Sequence, residues 1–244
     1  YLLEKTPDDA IVYEYLSQLY RQIGDDENHL DILLKAHAKF PKEISFVNSL
    51  VEHYRKNNQL ETAISLLKET LKNDENNSNI HADLGYLYSI AKDFDNAQSY
   101  LQQAIKLNDD NSYALNNLAW LYCENHVQLD KAVTFAQKAC ELEPNNDNFL
   151  DTLAEAYYQT KQYEKAMEII KKAIKKAIEN GVKVEIMIPG KSDIKFTPDA
   201  VMYTANKLRK NGADIYVFNG GFHHSKIMMI DSMYCTVGST NLNS

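Results

Sequence analysis

The sequence predicts a mostly α protein: an α-solenoid of five helix-turn-helix repeats followed by a small, partial α/β unit. Three observations carry that expectation. A leucine–tyrosine pair returns every 34 or 35 residues as far as Tyr157. Glycine is nearly absent from that stretch: Gly24 and Gly85 stand alone before residue 176, and the other six follow it. Beyond residue 180, short apolar runs punctuated by Gly, Pro and Asn replace the helical period.

Each repeat can be justified residue by residue. The tyrosines are Tyr20, Tyr54, Tyr88, Tyr122 and Tyr157, and four residues before each stands Leu16, Leu50, Leu84, Leu118 or Leu153. Positions i and i+4 share a helix face, so each pair marks the buried side of a first helix. A second series, Ala63, Ala97, Ala132 and Ala166, has His29 as its first member, and a third runs Ala36, Thr70, Ala104, Ala139 and Ala173. Small residues belong where two helices approach closely. Pro41 and Pro144 end second helices. A lone helix pair cannot bury its apolar face, so the units stack. The single 35-residue step places one inserted residue in the CENHVQLDKA turn, where added length is tolerated best.

These residues resemble the tetratricopeptide repeat over about residues 8–178. DLGYLYSIAKDFDNAQSYLQQAIKL and TLAEAYYQTKQYEKAMEIIKKAIK carry the likeness most fully. The first unit departs most, with His29 at a small-residue position; Ser17 and Val51 stand where Gly or Ala is usual. The resemblance implies a scaffold that binds a protein or peptide in a concave groove lined by first helices. Its groove candidates here are Tyr86, Asn116, Asn117, Trp120, Asp151 and Glu155. That set is acidic and amide-rich, which fits a basic or polar peptide rather than a clamp for a C-terminal carboxylate.

Charge and composition bound the remaining function classes. The chain has 244 residues, 44% of them apolar and 25% charged, a globular composition with room for one large or two smaller domains. A net charge of −8 argues against a general nucleic-acid binder. Residues 176–244 are net +2 and the rest net −10, a second sign of two architectures. No apolar run reaches the roughly 18 residues that a bilayer span needs. Cys123, Cys140 and Cys235 have no metal-ligand spacing and read as packing residues in a reducing compartment.

In the tail, GVKVEIMIPG reads as a strand, DAVMYTANKLRKNG as a helix closed by Gly212, and ADIYVF, HHSKIMMID and YCTVG as three further strands. Within it lie His224, Lys226, Asp231, Gly238, Ser239 and Asn241. On a strand, His224 and Lys226 two apart share a face. An imidazole can attack phosphorus or protonate a leaving alkoxide, and a lysine supplies fixed positive charge to phosphate oxygens. Gly238 permits a tight turn from which Ser239 and Asn241 can offer hydrogen bonds to phosphate, while Asp231 balances charge at the strand end. This chemistry requires no metal or cofactor.

The window resembles the HxKxxxxDxxxxxxGSxN signature of the phospholipase D superfamily. With its flanks, about residues 174–244, it is similar to the second of two such motifs in bacterial cardiolipin synthases. The resemblance implies phosphatidyl transfer from an anionic phospholipid through a phosphohistidine, with His224 as the general acid. Catalysis in that family needs two copies. The window occurs once here, and His29, His37, His53, His81 and His126 lie in the repeats. The isolated chain is therefore expected to be inactive, awaiting a second motif from a missing half or a dimer mate.

The expected division is 1–178 for the repeats and 179–244 for the phospholipase D-like segment. The chain opens at Tyr1 in mid-element sequence and stops at Ser244 directly after the motif. It reads as a fragment cut at both ends, cytoplasmic, with membrane association through segments outside it. KAMEIIKKAIKKAIENG serves both parts. Two origins stay open: a natural shared helix, or a synthase fragment joined artificially to a repeat array.

Overall fold

The computed structural model describes residue 6 and residues 8–189, 206, 209–210, 212–218, 225–230 and 233–238. The chain divides into two compact units, residues 1–143 and 144–244. The first holds four antiparallel helix pairs: α1 (Ala10–Ile23) with α2 (Asp26–Lys39), α3 (Ile44–Lys56) with α4 (Leu60–Leu71), α5 (Ser78–Ile90) with α6 (Phe94–Leu107), and α7 (Ser112–Glu124) with α8 (Leu129–Leu142). The second opens with a fifth pair, α9 (Asp147–Gln159) and α10 (Tyr163–Glu179). No strand precedes residue 184 among the described residues.

The period seen in the side chains is also written in the backbone. Between the two helices of each pair sits one left-handed residue: Gly24, Asn58, Lys92, His126 and Lys161, with φ between 53° and 75°. The next residue's N–H returns to the carbonyl of the repeat tyrosine. Asp25 bonds Tyr20, Gln59 bonds Tyr54, Asp93 bonds Tyr88, Val127 bonds Tyr122 and Gln162 bonds Tyr157, at 2.8–3.0 Å. This is the Schellman closure, which satisfies an orphan carbonyl of the helix and fixes the reversal. Only the first of the five is glycine, so four L-residues accept the left-handed strain. The inserted residue falls where length alone placed it: Gln128, φ 46°, is an additional left-handed residue before α8.

Close approach explains the small residues. Ala36, Ala63, Ala97, Ala104, Ala132 and Ala139 are fully buried. A Cβ on Gly85 would lie 2.5 Å from Cγ of Leu101 and 3.1 Å from its backbone N, so nothing larger than hydrogen fits unmoved. The first repeat meets the same constraint differently. His29 is buried, and its Nδ1 lies 3.0 Å from the Ser17 carbonyl and 3.3 Å from Ser17 Oγ. The histidine of that repeat therefore packs onto Ser17, another residue that departs from the pattern, and the two make one polar contact.

The second unit adds a four-stranded sheet in the order β2-β1-β3-β4. Strand β1 (Val184–Pro189) runs parallel to β2 (Asp214–Phe218) and antiparallel to β3 (Ser225–Ile230), which pairs antiparallel with β4 (Met233–Gly238). All four strands fall on the segments expected to be strands. Residues 206, 209 and 210 of the connection between β1 and β2 are helical, and Gly212 follows with φ 102°. Helix α10 is 17 residues long against 12–14 for the other second helices, and its C-terminal turns lie on the sheet. Ile174 clusters with Val184 and Ala213, joined by Ile170, Ala177, Ile178, Ile186 and Ile215. The expected division at 178/179 thus falls inside one packed unit.

Two substitutions test this packing with opposite signs. Gly85→Ala should lower stability by about 1 kcal/mol, because overpacking costs about 1–3 kcal/mol against a helix-propensity gain of about 1. Lys161→Gly should raise it by about 1 kcal/mol by relieving a left-handed L-residue. Urea unfolding followed by circular dichroism reads both; equal midpoints for the two variants would contradict the account.

Candidate functional site

The first helices carry one face outward, spaced i, i+4, i+7, i+11. On α5 it reads Asn79, Asp83, Tyr86 and Ile90; on α7 it reads Tyr113, Asn117, Trp120 and Glu124, each 34 residues on from its counterpart. Tyr86 and Trp120 are both 41% exposed, large aromatics left out of the core. Between the helices they border a hollow of 240 Å³, lined also by Ile90, Asn117, Lys92 and Glu124. Lys92 reaches Glu124 across the two repeats at 2.5 Å, and this pair also lines a neighbouring hollow of 130 Å³.

The basic groups along this face are spoken for. Arg55 on α3 holds Glu52 in a two-pronged contact, 2.8 Å for each nitrogen, and Lys56 adds a third at 3.3 Å. The hydrogen bond from Arg55 keeps the Glu52 carboxyl below its usual range. Asp83 is different. It is half-buried and has no hydrogen-bond or ionic partner among the described residues, and burial alone pushes its pKa up from 3.8 to about 6. Asn116 is 7% exposed, with Oδ1 buried and unpartnered among the described residues.

In the second unit, Asp151 and Glu155 stand one turn apart on α9. Asp151 is raised by lost hydration first and by the Glu155 charge second. Glu155 accepts from Gln159 Nε2 at 2.7 Å.

The sheet gathers a different set of residues. In register, Ser225 pairs with Gly238, Lys226 with Val237, and Met187 with Ile227. Pro189 pairs with Phe218 in the parallel pair. The carboxyl ends of β1, β2 and β4 and the start of β3 therefore lie at one end of the sheet. Outside the carboxyl ends of parallel strands is where α/β sheets bind ligands. There the two halves of the His–Asn window meet across a hairpin, Ser225 opposite Gly238 and Lys226 opposite Val237.

Comparison with known proteins agrees with both halves. The family described as "Cardiolipin synthase, PLD-like domain" matches residues 152–244, and two tetratricopeptide repeat families match 78–111 and 100–134. The chain joins tetratricopeptide repeats to a phospholipase D-like segment. Cardiolipin synthase 1 of Staphylococcus epidermidis is 42% identical over 71 residues, 29% of this chain and 14% of that protein. The chain thus spans about a seventh of the length of that curated relative. Among solved structures, MamA is similar at a TM-score of 0.53 with 22% identity, covering 70% of this chain and 93% of that one. A thermophilic TPR protein of Thermus thermophilus matches at a TM-score of 0.53 with 24% identity, covering 64% and 85%. These two likenesses concern the fold.

The phospholipase D-like match begins inside the fifth tetratricopeptide repeat, as the packing of α10 on the sheet leads one to expect. Of the expected phosphoryl-transfer residues, the position of Lys226 on β3 is described; His224, Asp231, Ser239 and Asn241 lie outside the described residues. The sequence holds one other His-x-Lys, at His37 and Lys39, which the repeat reading passed over. It lies at the end of helix α2, Lys39 pairs with Asp8 at 2.7 Å, and Ile44 stands where the motif requires aspartate. It is part of the repeat.

Of the expected groove residues, Tyr86, Asn117 and Trp120 come together at the hollow, Asn116 is buried beneath that face, and Asp151 and Glu155 belong to the other unit. Asp83, Lys92 and Glu124 were missed. Asp83 was findable, since it sits 34 residues before Asn117, whereas the Lys92–Glu124 contact joins two turns whose meeting only packing reveals. Among the described residues no cluster of His, Cys, Asp or Glu could hold a metal ion, and no helix is long and apolar enough to cross a membrane. Cys123 is buried and Cys140 half-buried.

The Asp83 carboxylate has a signed pH consequence. Its folded pKa lies above the unfolded value, so the folded state is penalised as pH rises from about 4 through 6, and fully above that. Asp83→Asn should therefore stabilise the protein at pH 7.5, by at most about 3 kcal/mol, and by much less at pH 4. Denaturation midpoints at the two pH values test this; an equal gain at both would show that the carboxylate charge is not the cause.

Proposed function

We propose that the repeats, residues 1–178, hold an extended segment of a protein partner along the outward face of the first helices, and that residues 179–244 contribute one half-site of a phosphatidyltransferase. The observation that carries the first part is the in-register face on α5 and α7, which leaves Tyr86 and Trp120 exposed beside a hollow. Core packing gives no reason to leave two such aromatics in water, and buried aromatic anchors dominate protein recognition.

The second part rests on the sheet end where the Ser225–Lys226 start of β3 pairs with Val237–Gly238 of β4, together with the spacing of His224, Asp231, Ser239 and Asn241 in the sequence. In the reaction, a histidine of a second motif attacks the phosphorus of an anionic phospholipid, and the phosphorus–oxygen bond to the departing glycerol breaks. His224 donates the proton that the glycerol oxygen takes up. Lys226, Ser239 and Asn241 steady the phosphate oxygens, and Asp231 balances the charge. The second motif comes from another half-domain or another chain.

The purified chain is accordingly expected to show no phosphatidyl transfer on phosphatidylglycerol vesicles. Turnover by a verified monomer, abolished by His224→Ala, would refute the need for a second motif. A phosphohistidine trapped on His224 would overturn its role as the acid.

A further inference from the structure

We propose that the hollow between Tyr86 and Trp120 receives one basic side chain of the partner, with Asp83 as its counter-charge. This rests on the reading of the first-helix face as the binding face, and specifies what that face selects.

The unmatched charge is local. Arg55 and Lys56 are occupied by Glu52, and Lys92 by Glu124. Asp83 stands on the same helix face, one turn before Tyr86 and beside the hollow rather than in its lining, at the repeat position where α7 has Asn117. It has no partner among the described residues, so Asp83 is the carboxylate on this face left without a counter-ion. The hollow has the matching chemistry. Aromatic faces attract cations, indole most strongly, and guanidinium stacks on them as well. At 240 Å³ it is smaller than the roughly 300–1,000 Å³ of small-molecule pockets, which suits a single side chain entering from an extended segment. A half-buried carboxylate without a cation also costs the free protein stability, and an incoming ammonium or guanidinium would remove that cost.

Trp120 is the only tryptophan in the chain, so its fluorescence reports on the hollow itself. Three capped peptides serve as probes for the full chain: Gly-Ser-Arg-Gly-Arg-Gly-Ser, the same peptide with citrulline for arginine, and the same with glutamate. Saturable change in Trp120 fluorescence is expected with the arginine peptide, at least tenfold weaker binding with citrulline, and none with glutamate. Asp83→Asn should weaken the arginine peptide at least tenfold, while Glu61→Gln, on α4, should not. Calorimetry with Trp120→Ala should show a similar loss.

Equal binding of the citrulline peptide, or indifference to Asp83→Asn, overturns the cation seat and leaves the groove reading standing. Absence of response to all three peptides overturns the groove reading along with it. Asp83→Asn is expected to fold well, so loss of binding in that variant cannot be ascribed to unfolding.

Discussion

One hydrogen bond, repeated five times, governs the geometry of the helical part. The carbonyl of each repeat tyrosine takes the N–H of the residue five positions on, across a left-handed corner. That bond fixes where the first helix stops and how the second returns. The return angle in turn decides which positions must be small, and so why Gly85, Ala97 and Ala132 stand where they do. Once the hairpins share one angle, their first helices present equivalent faces, and Asp83, Asn117 and the two aromatics fall into line. Four of the five corners use an L-residue with its strain, so the stack, rather than local preference, holds them.

The repeat array was largely legible in the sequence because its constraints are periodic. The inserted residue near 126–128, the small-residue series and the proline stops all follow from spacing, and the backbone repeats them. The strands from 184 onward were legible for another reason: short β-rich runs are set between turn residues. What escaped is non-periodic. The Ser17–His29 contact looks like two separate departures in sequence and becomes one interaction only when the helices meet. The Lys92–Glu124 pair depends on the separation of two turns, and no pattern encodes the buried setting that lifts Asp83. Candidate-site residues were legible by type, and their grouping was not: Asn116 and Asn117 are neighbours in sequence yet face differently.

Asp83 also illustrates a conflict between folding and recognition. A neutral residue there would suit the free chain better, and its retention is intelligible if a partner supplies the missing charge. Functional faces commonly keep such unsatisfied polar groups. The same logic separates Asp83 from Glu52, whose charge is satisfied within its own helix and is therefore unavailable to a guest.

Helix α10 has a practical consequence for anyone dividing the protein. Its early turns complete the fifth helix pair, and its last turns roof the strands through Ile174, Ala177 and Ile178. Trimming at the point where the sequence changes character would hand this roof to one product and strip it from the other. The isolated strands would then show water a bare aliphatic floor of Val184, Ile186 and Ile215, and the isolated repeats a greasy, unmatched helix end. A cut near residue 144, ahead of the fifth pair, keeps that roof and floor together.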